Sequence, residues 1–228
     1  AKEKAEKNLQ NARELFESYL QSIFNNPGDE WEEKSLEELG NITSSKRIYK
    51  SEYVNEGIPF YRTKEIKELA NGKNISLELF ISRERYNEIK TKYGIPKEGD
   101  ILLSAVGTIG EIYVVQRNDE FYFKDGNIVW LKEFNLVNAY YLKYALKSFV
   151  EKIKTLSRGA AYKALTIEKL KKYKVPIMSI KEQQSIIAKL DALSAETKKL
   201  ESKYQQKLED LEELKKSILK KAFSGELT

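Results

Sequence analysis

The sequence predicts an α+β protein in which one globular domain, with a twisted and partly antiparallel β-sheet, lies between two helices. Apolar residues recur at steps of three and four at both ends of the chain, which is helical spacing. Between them, β-rich segments are interspersed with helical ones and show no regular βαβ repeat. We therefore expect an N-terminal helix in residues 1–26, a globular domain in 27–178 and a long helix in 179–228.

The first helix is predicted from residue 1 to about residue 24, where Asn25-Asn-Pro-Gly-Asp29 ends it. Its apolar pattern returns near the end of the chain at a constant offset, since Leu9 and Leu15 correspond to Leu208 and Leu214. Two related helices therefore bracket the globular segment. This arrangement is typical of one unit of a two-unit molecule, in which a spacer carries recognition modules at its ends.

The globular domain opens with Trp31–Leu39, which predicts a strand followed by a short helical turn. Further strands are predicted at 58–61, 100–104, 109–115, 127–131 and 173–177, and helices at 136–154 and 165–170.

The last helix is predicted to run from residue 180 to about 223 without Pro or Gly, and Gly225 is expected to end it. At 1.5 Å per residue it would be roughly 60 Å long, so it must bury its apolar stripe against another helix. The residues predicted to form this dimer or partner interface are Leu190, Leu193, Leu200, Tyr204, Leu208, Leu211, Leu214 and Ile218.

Composition excludes several classes of site. The chain has 228 residues, 33% of them charged, and no apolar run approaches the ~20 residues of a membrane span. It has neither Cys nor His, which removes disulfides, thiolate metal sites, cysteine nucleophiles and Ser-His-Asp catalysis. There is no secretory signal, and because the sequence opens at Ala1 we expect the true start to lie upstream.

Motifs for nucleotide chemistry are also missing. No P-loop is present, and Gly107-Thr-Ile-Gly110 lacks the spacing of a dinucleotide fingerprint. We interpret Gly99-Asp100 and Gly107 to Gly110 as structural turns, although Gly110 could instead allow a phosphate to approach the backbone. No catalytic residue and no metal ligand is therefore predicted.

What remains is a set of three basic loops that could contact DNA. Arg and Lys can pair with phosphates, and Arg can bond guanine bidentately. Each loop alone could be a solvated turn, but three in one domain, in a chain with 14 Tyr and a net charge of +5, favour nucleic acid. The predicted DNA-binding residues are Lys46, Arg47, Tyr49 and Lys50; Arg62, Thr63 and Lys64; and Arg158, Tyr162 and Lys163.

A series of motifs runs along nearly the whole chain, in the order Gly99-Asp-Ile-Leu-Leu-Ser104, Gly107-Thr-Ile-Gly110, Tyr140-Tyr-Leu-Lys-Tyr144, Gly159, Val175-Pro-Ile177, Glu182-Gln183, Ile187 and Ser217–Leu227. In this order the motifs resemble those of the DNA-specificity subunit of type I restriction–modification enzymes. The first two and the Ala-Phe-Ser-Gly-Glu-Leu ending are specific in combination. The family usually has two prolines and an apolar residue before the Glu-Gln pair, where this chain has Met178-Ser-Ile180, so we expect a looser turn into the long helix.

The resemblance implies a cytoplasmic, non-catalytic subunit that binds half of a bipartite target in double-stranded DNA. It also implies partners: methylation subunits, which use S-adenosylmethionine, and restriction or translocation subunits, which use ATP; this chain itself is expected to bind no cofactor. Because the family's usual chain carries two recognition domains and this one carries one, the chain is expected to be a half-subunit or fragment and to form a homodimer through its helices. The alternatives are a coiled-coil adaptor whose globular domain binds protein and, less favoured, a stand-alone nuclease.

Overall fold

The computed structural model describes residues 1–26, 28, 31–156 and 165–224. The helices are α1 (Lys2–Asn25), α2 (Leu36–Leu39), α3 (Thr63–Ala70), α4 (Arg83–Lys92), α5 (Ala139–Leu156), α6 (Ile167–Lys171) and α7 (Ile180–Phe223), with a short 3-10 helix at Lys50–Glu52. The strands are β1 (Glu32–Ser35), β2 (Asn41–Thr43), β3 (Tyr53–Val54), β4 (Ile58–Tyr61), β5 (Phe80–Ile81), β6 (Ile101–Ser104), β7 (Ile112–Val114), β8 (Tyr122–Phe123), β9 (Ile128–Lys132) and β10 (Lys174–Ile177). The α+β prediction is confirmed, including the N-terminal helix and the long C-terminal one.

The elements form two compact units. The first, here the helical unit, comprises residues 1–26 and 185–228, and the second, the globular unit, comprises residues 27–184.

In the helical unit, α1 and α7 run antiparallel. Lys2 pairs with Glu212, and the Arg13 Nε atom lies 3.1 Å from Glu201 Oε2. The step from Lys2 to Arg13 along α1 equals the step back from Glu212 to Glu201 along α7, so both pairs share one register. The buried positions of α7 in this unit, Leu190 and Thr197, are seven residues apart, which is coiled-coil spacing.

Burial along α7 falls toward its C-terminal end. Leu190 is fully buried, whereas Leu214 and Ile218 keep 55% and 48% of their surface exposed. Of the remaining predicted interface residues, Leu193, Tyr204, Leu208 and Leu211 are half-buried and Leu200 is exposed. The turns of α7 that follow Glu212 therefore present apolar side chains that α1 does not cover.

The globular unit contains three small sheets. In the two-stranded sheet, β1 pairs antiparallel with β10. The second sheet has the order β2-β9-β6-β7 and is antiparallel throughout, and the third has the order β3-β5-β4-β8, in which β4 and β8 are parallel. Strand β9 is paired on both sides and its residues 128–131 are buried, which accounts for its continuous apolar sequence.

Two of the apolar clusters in the described part of the globular unit lie next to the basic segments. One centres on Trp130 and the aromatic residues that follow β7, and the Trp130 indole nitrogen donates a hydrogen bond of 2.8 Å to Asp100 Oδ2. The same carboxylate oxygen accepts from the Lys97 backbone nitrogen at 2.9 Å. Burial raises the pKa of Asp100, although these hydrogen bonds oppose the effect. The second cluster packs β4, β5, β8 and α4 around Ile58, Phe60 and Tyr122.

The glycine-bearing turn between β6 and β7 has a structural role. The buried Ser104 hydroxyl donates to the Thr108 carbonyl at 2.5 Å and accepts from the Glu111 nitrogen at 2.9 Å. Gly110 has φ +95°, and a Cβ atom there would lie 2.3 Å from Val150 Cγ1 on α5. Gly110 therefore packs against a helix, which supports the structural interpretation over approach by a phosphate.

The turn into α7 is held by a reciprocal capping box of Ser179 and Glu182. The Ser179 backbone nitrogen donates to Glu182 Oε2 at 3.1 Å, and the Glu182 backbone nitrogen donates to Ser179 Oγ at 3.3 Å. Next to it, the buried Gln183 side-chain amide accepts from the Asn138 backbone nitrogen and donates to the Leu136 and Met178 carbonyls. These hydrogen bonds define the turn without prolines, and the expectation that it is looser than in the family stays a prediction.

Substituting the two glycines of this turn should separate backbone strain from steric clash. Gly107 has φ +77° with open space at its Cβ position, so Gly107→Ala should cost roughly the 1–2 kcal/mol of a left-handed residue. Gly110→Ala adds the clash with Val150 and should lower the free energy of unfolding by about 1–3 kcal/mol more. Urea denaturation of both variants measures the difference; equal losses would show that α5 does not constrain the turn.

Candidate nucleic-acid interface

The first predicted basic loop follows β2 and is fixed to the core by three hydrogen bonds. Ser45 Oγ donates to the Phe123 carbonyl at 2.8 Å, and the backbone nitrogen of Lys46 donates to the Tyr122 hydroxyl at 2.7 Å. The Gly126 nitrogen donates to Ser44 Oγ at 3.3 Å. The backbone that carries Lys46 and the residues after it is therefore held against β8.

Arg47, in the same loop, is paired with a carboxylate. Its Nε atom lies 2.8 Å from Asp125 Oδ2, and the hydrogen bond and charge of Asp125 raise the pKa of Arg47. The remaining predicted residues of this loop, Tyr49 and Lys50, are exposed, and Lys50 begins the 3-10 helix.

The second predicted basic segment is a helix start rather than a loop. Arg62 is the residue before α3, and Thr63 and Lys64 are its first two residues. The sequence favoured a loop because the eight residues of α3 are too few to show a clear period beside the preceding strand. The backbone nitrogen of Arg62 donates to Glu65 Oε2 at 2.7 Å, which helps to cap the helix.

Glu78 forms ion pairs with both cations of this segment, Arg62 and Lys64. Arg62 Nη2 lies 2.6 Å from Glu65 Oε1 and 2.7 Å from Glu78 Oε2, and Lys64 Nζ lies 2.5 Å from Glu78 Oε1. Hydrogen bonds from Lys64 and Arg62 lower the pKa of Glu78 to about 2. The cluster therefore remains fully ionised at neutral pH.

The parallel pairing of β4 and β8 brings these two segments to one edge of the sheet. Tyr61 pairs with Phe123, so Arg62 and Lys124 follow the same end of neighbouring strands. The backbone nitrogen of Lys124 donates a hydrogen bond to the Tyr61 carbonyl at 2.8 Å. Asp125, the partner of Arg47, follows directly. We name the group Arg47, Arg62, Lys64 and Lys124 the cationic edge.

Lys124 was missed by sequence reasoning. It is exposed, and its position beside Arg62 depends on a pairing between strands that are about 60 residues apart in sequence. The short strand Tyr122-Phe123 followed by Lys-Asp-Gly was the only local signal. The third predicted loop, with Arg158, Tyr162 and Lys163, lies outside the described residues.

Among the residues that the structure describes, no group of three or more Asp or Glu side chains could hold a metal ion. None of the helices described is long and apolar enough to cross a membrane.

The family described as "Type I restriction modification DNA specificity domain" matches residues 28–210, which is most of the chain, and the chain belongs to this family. The resemblance stated from the sequence motifs is thereby confirmed, as is the prediction that the chain is a specificity component and not a catalytic one.

Curated relatives carry the same description. The chain is 36% identical over 160 residues to a protein of Haemophilus influenzae named as a type I restriction enzyme specificity subunit, covering 68% of this chain and 38% of the relative. It is 26% identical over 208 residues to the type I restriction enzyme EcoBI specificity subunit of Escherichia coli, covering 88% and 42%. The chain thus spans about two fifths of the length of the curated relatives it matches.

Solved structures share the fold. The HsdS subunit of Thermoanaerobacter tengcongensis superposes with a TM-score of 0.68 at 20% identity, over 99% of this chain and 54% of that one. A chain from a structural study of the assembly and conformational transition of the type I R-M system gives 0.76 at 20% identity, over 96% and 53%.

Freeing the cations of the edge should strengthen binding to duplex DNA of any sequence. Glu78→Gln removes the carboxylate shared by Arg62 and Lys64, and an exposed ion pair contributes about 0.2–1 kcal/mol, so we expect a gain of up to roughly fivefold in affinity. Fluorescence anisotropy with a labelled duplex measures it.

Glu120→Gln is the matched control, because it changes the net charge equally and releases Arg83 from its ion pair. An equal gain in both variants would attribute the effect to net charge and remove the cationic edge from consideration.

Proposed function

We propose that the globular unit recognises one half of a bipartite target in double-stranded DNA, as part of a type I restriction–modification complex. The observation that carries this proposal is the match of the specificity-domain family to residues 28–210, the part of the chain that also holds the cationic edge. The coverage of only 38% and 42% of the curated relatives supports a single recognition half.

In this proposal the cationic edge faces the duplex. Arg47 and Arg62 can each bond a guanine edge or a phosphate bidentately, whereas Lys64 and Lys124 act as point charges for phosphates. Each paired cation would exchange a carboxylate for a phosphate or, at the arginines, for the neutral acceptors of a guanine edge. A correct sequence is one that offers the arginines hydrogen-bond acceptors in the geometry that Glu78 and Asp125 now supply.

The chemistry of the complex belongs to partner subunits. Methylation subunits would bring S-adenosylmethionine and restriction subunits ATP, while this chain would bind no cofactor and would serve as their platform in the cytoplasm.

A homodimer would complete the recognition of DNA. The exposed apolar stripe of α7 after Glu212 needs a partner surface, and closed two-fold pairing would let two identical stripes meet. Two identical recognition domains would read identical half-sites, so the target would be an interrupted palindrome.

Methyl transfer should depend on the partner subunit. The isolated chain, incubated with duplex DNA and labelled S-adenosylmethionine, should bind DNA but incorporate no methyl groups, because it offers no catalytic residues for the reaction. Addition of a methylation subunit of the same system should start incorporation. Turnover by the pure chain would overturn the proposal, and so would a chain that binds no duplex at low salt.

The proposed dimer can be tested by making the α7 stripe polar. Leu214→Gln with Ile218→Gln should convert a dimer to monomer in sedimentation velocity at micromolar concentration, because both side chains are exposed in the single chain and their burial would contribute to association. Ser217→Gln, an exposed polar position between them, should leave the dimer intact. A wild-type chain that sediments as a monomer would contradict the dimer but not the recognition of DNA.

A further inference from the structure

We propose that a groove next to the first basic loop binds one backbone phosphate of the duplex between the ammonium groups of Lys46 and Lys132. The inference deepens the proposed recognition of DNA and rests on it. The groove has a volume of about 290 Å³ and is lined by Thr43, Ser45, Lys46, Tyr93, Trp130 and Lys132, among others. We name it the lysine groove.

Each lysine is held over the face of an aromatic ring. Lys132 Nζ lies 4.3 Å from the Trp130 ring centroid, and Lys46 Nζ lies 5.2 Å from that of Tyr93. Cation–π contact holds an ammonium group in place and leaves the N–H donors on the side away from the ring able to bond an anion.

The two lysines differ from the cationic edge in their charge balance. Among the described residues, no carboxylate lies within ion-pair distance of Lys46, and Lys132 has only the exposed Glu133, at 3.4 Å. Arg47, Arg62 and Lys64 are each bound to an acid at 2.5–2.8 Å. An anion that enters the lysine groove therefore meets a Lys46 ammonium without an ion-pair partner among the described residues. It also meets the Lys132 ammonium, whose charge Glu133 and the nearby Asp100 carboxylate balance only in part.

The groove is also built on rigid elements. Lys132 ends the doubly paired strand β9, and its side chain is only 16% exposed. Beneath it, the Trp130 ring is fixed by the hydrogen bond to Asp100. On the opposite side, the backbone nitrogen of Lys46 donates a hydrogen bond to the hydroxyl of the fully buried Tyr122. Burial raises the pKa of Tyr122 to about 12, so this hydroxyl stays protonated. The ammonium positions thus require little ordering when an anion binds.

A phosphodiester fits these features better than a base or a carboxylate ligand. Lysine ammonium groups are point charges that suit phosphate and carry no base-reading geometry. The exposed Tyr93 ring could stack on a base, but Lys46 lies over one of its faces. The groove volume lies at the lower limit of small-molecule pockets, about 300 Å³, and suits one phosphate of a passing strand.

The site would supply affinity and register rather than sequence preference. Since Lys46 precedes Arg47, a phosphate seated in the lysine groove would place the neighbouring nucleotides against the cationic edge. One contact would then fix the position of the duplex while Arg47 and Arg62 read it.

The test compares Lys46→Gln, Lys132→Gln and the double variant of the full-length chain, titrated with a labelled duplex at several salt concentrations. Each single variant should weaken binding to matched and unrelated duplexes by the same factor and reduce the slope of log affinity against log salt, and the double variant should reduce that slope by about 1, because the groove neutralises one phosphate. Lys46→Arg and Lys132→Arg should restore the slope. Lys50→Gln, which removes an exposed lysine of the same loop outside the groove, should change the slope less than either groove variant.

A duplex with single methylphosphonate substitutions gives a second, independent readout. One substituted position should weaken binding of the wild-type chain and of Lys50→Gln more than that of Lys46→Gln, in which only Lys132 still faces this phosphate. The comparison also covers the case that Lys132→Gln fails to fold. Wild-type binding with an unchanged slope in Lys46→Gln and in the double variant would refute the phosphate site and leave the proposed function standing. A wild-type chain that binds no duplex at low salt would refute both.

Discussion

The hydrogen bond from the Trp130 indole to the buried Asp100 carboxylate is the interaction on which the globular unit depends. It joins the start of β6 to the middle of β9, and β9 in turn holds β2, from which the first basic loop begins. A buried carboxylate without its partners would cost far more than the net contribution of one hydrogen bond, so the two residues constrain each other. The Gly-Asp motif that identifies the family is thus explained by packing: the carboxylate orients the tryptophan that forms the floor of the lysine groove.

Acidic residues determine how the cationic edge behaves before DNA arrives. The guanidinium groups of Arg47 and Arg62 are held in fixed positions by the carboxylates of Glu65, Glu78 and Asp125. This order reduces the conformational entropy that the side chains would lose on binding DNA. Binding would nevertheless require each guanidinium group to exchange one hydrogen-bond acceptor for another. The ion pairs of Glu78 are exposed and contribute at most about 1 kcal/mol each, so in the proposed complex a well-placed guanine or phosphate can replace Glu78, whereas a poorly placed one gains nothing. In this proposal the domain discriminates through the geometry of exchange rather than through total positive charge, in agreement with a net charge of only +5.

Much of the fold could be predicted from local sequence. The 44 residues of α7 show helical spacing without a breaker, and the apolar runs of β6 and β9 stand out because both strands are buried. The cap at Ser179 is also visible in the sequence as the pattern Ser-x-x-Glu, in which Ser179 is followed three residues later by Glu182. By contrast, α3, α4 and the two-residue strands β3, β5 and β8 are too short to show a period.

The site could be predicted only in part, because it is assembled by contacts that are distant in sequence. Arg47 and Arg62 were chosen for their chemistry, but their position at one edge follows from the parallel pairing of β4 with β8. Lys132 directly follows the strand predicted at 127–131, and nothing local indicates that its ammonium shares a groove with Lys46.

The central claim is that residues 27–184 determine which DNA sequence the complex recognises. Methylome sequencing of cells that express this chain with a methylation subunit of the same system tests it most directly, in parallel with cells in which this segment is exchanged for that of another specificity subunit. The account predicts one bipartite methylated motif for the wild-type chain and a different motif after the exchange. A motif that is unchanged by the exchange, or no methylated motif while both subunits are produced, would contradict it.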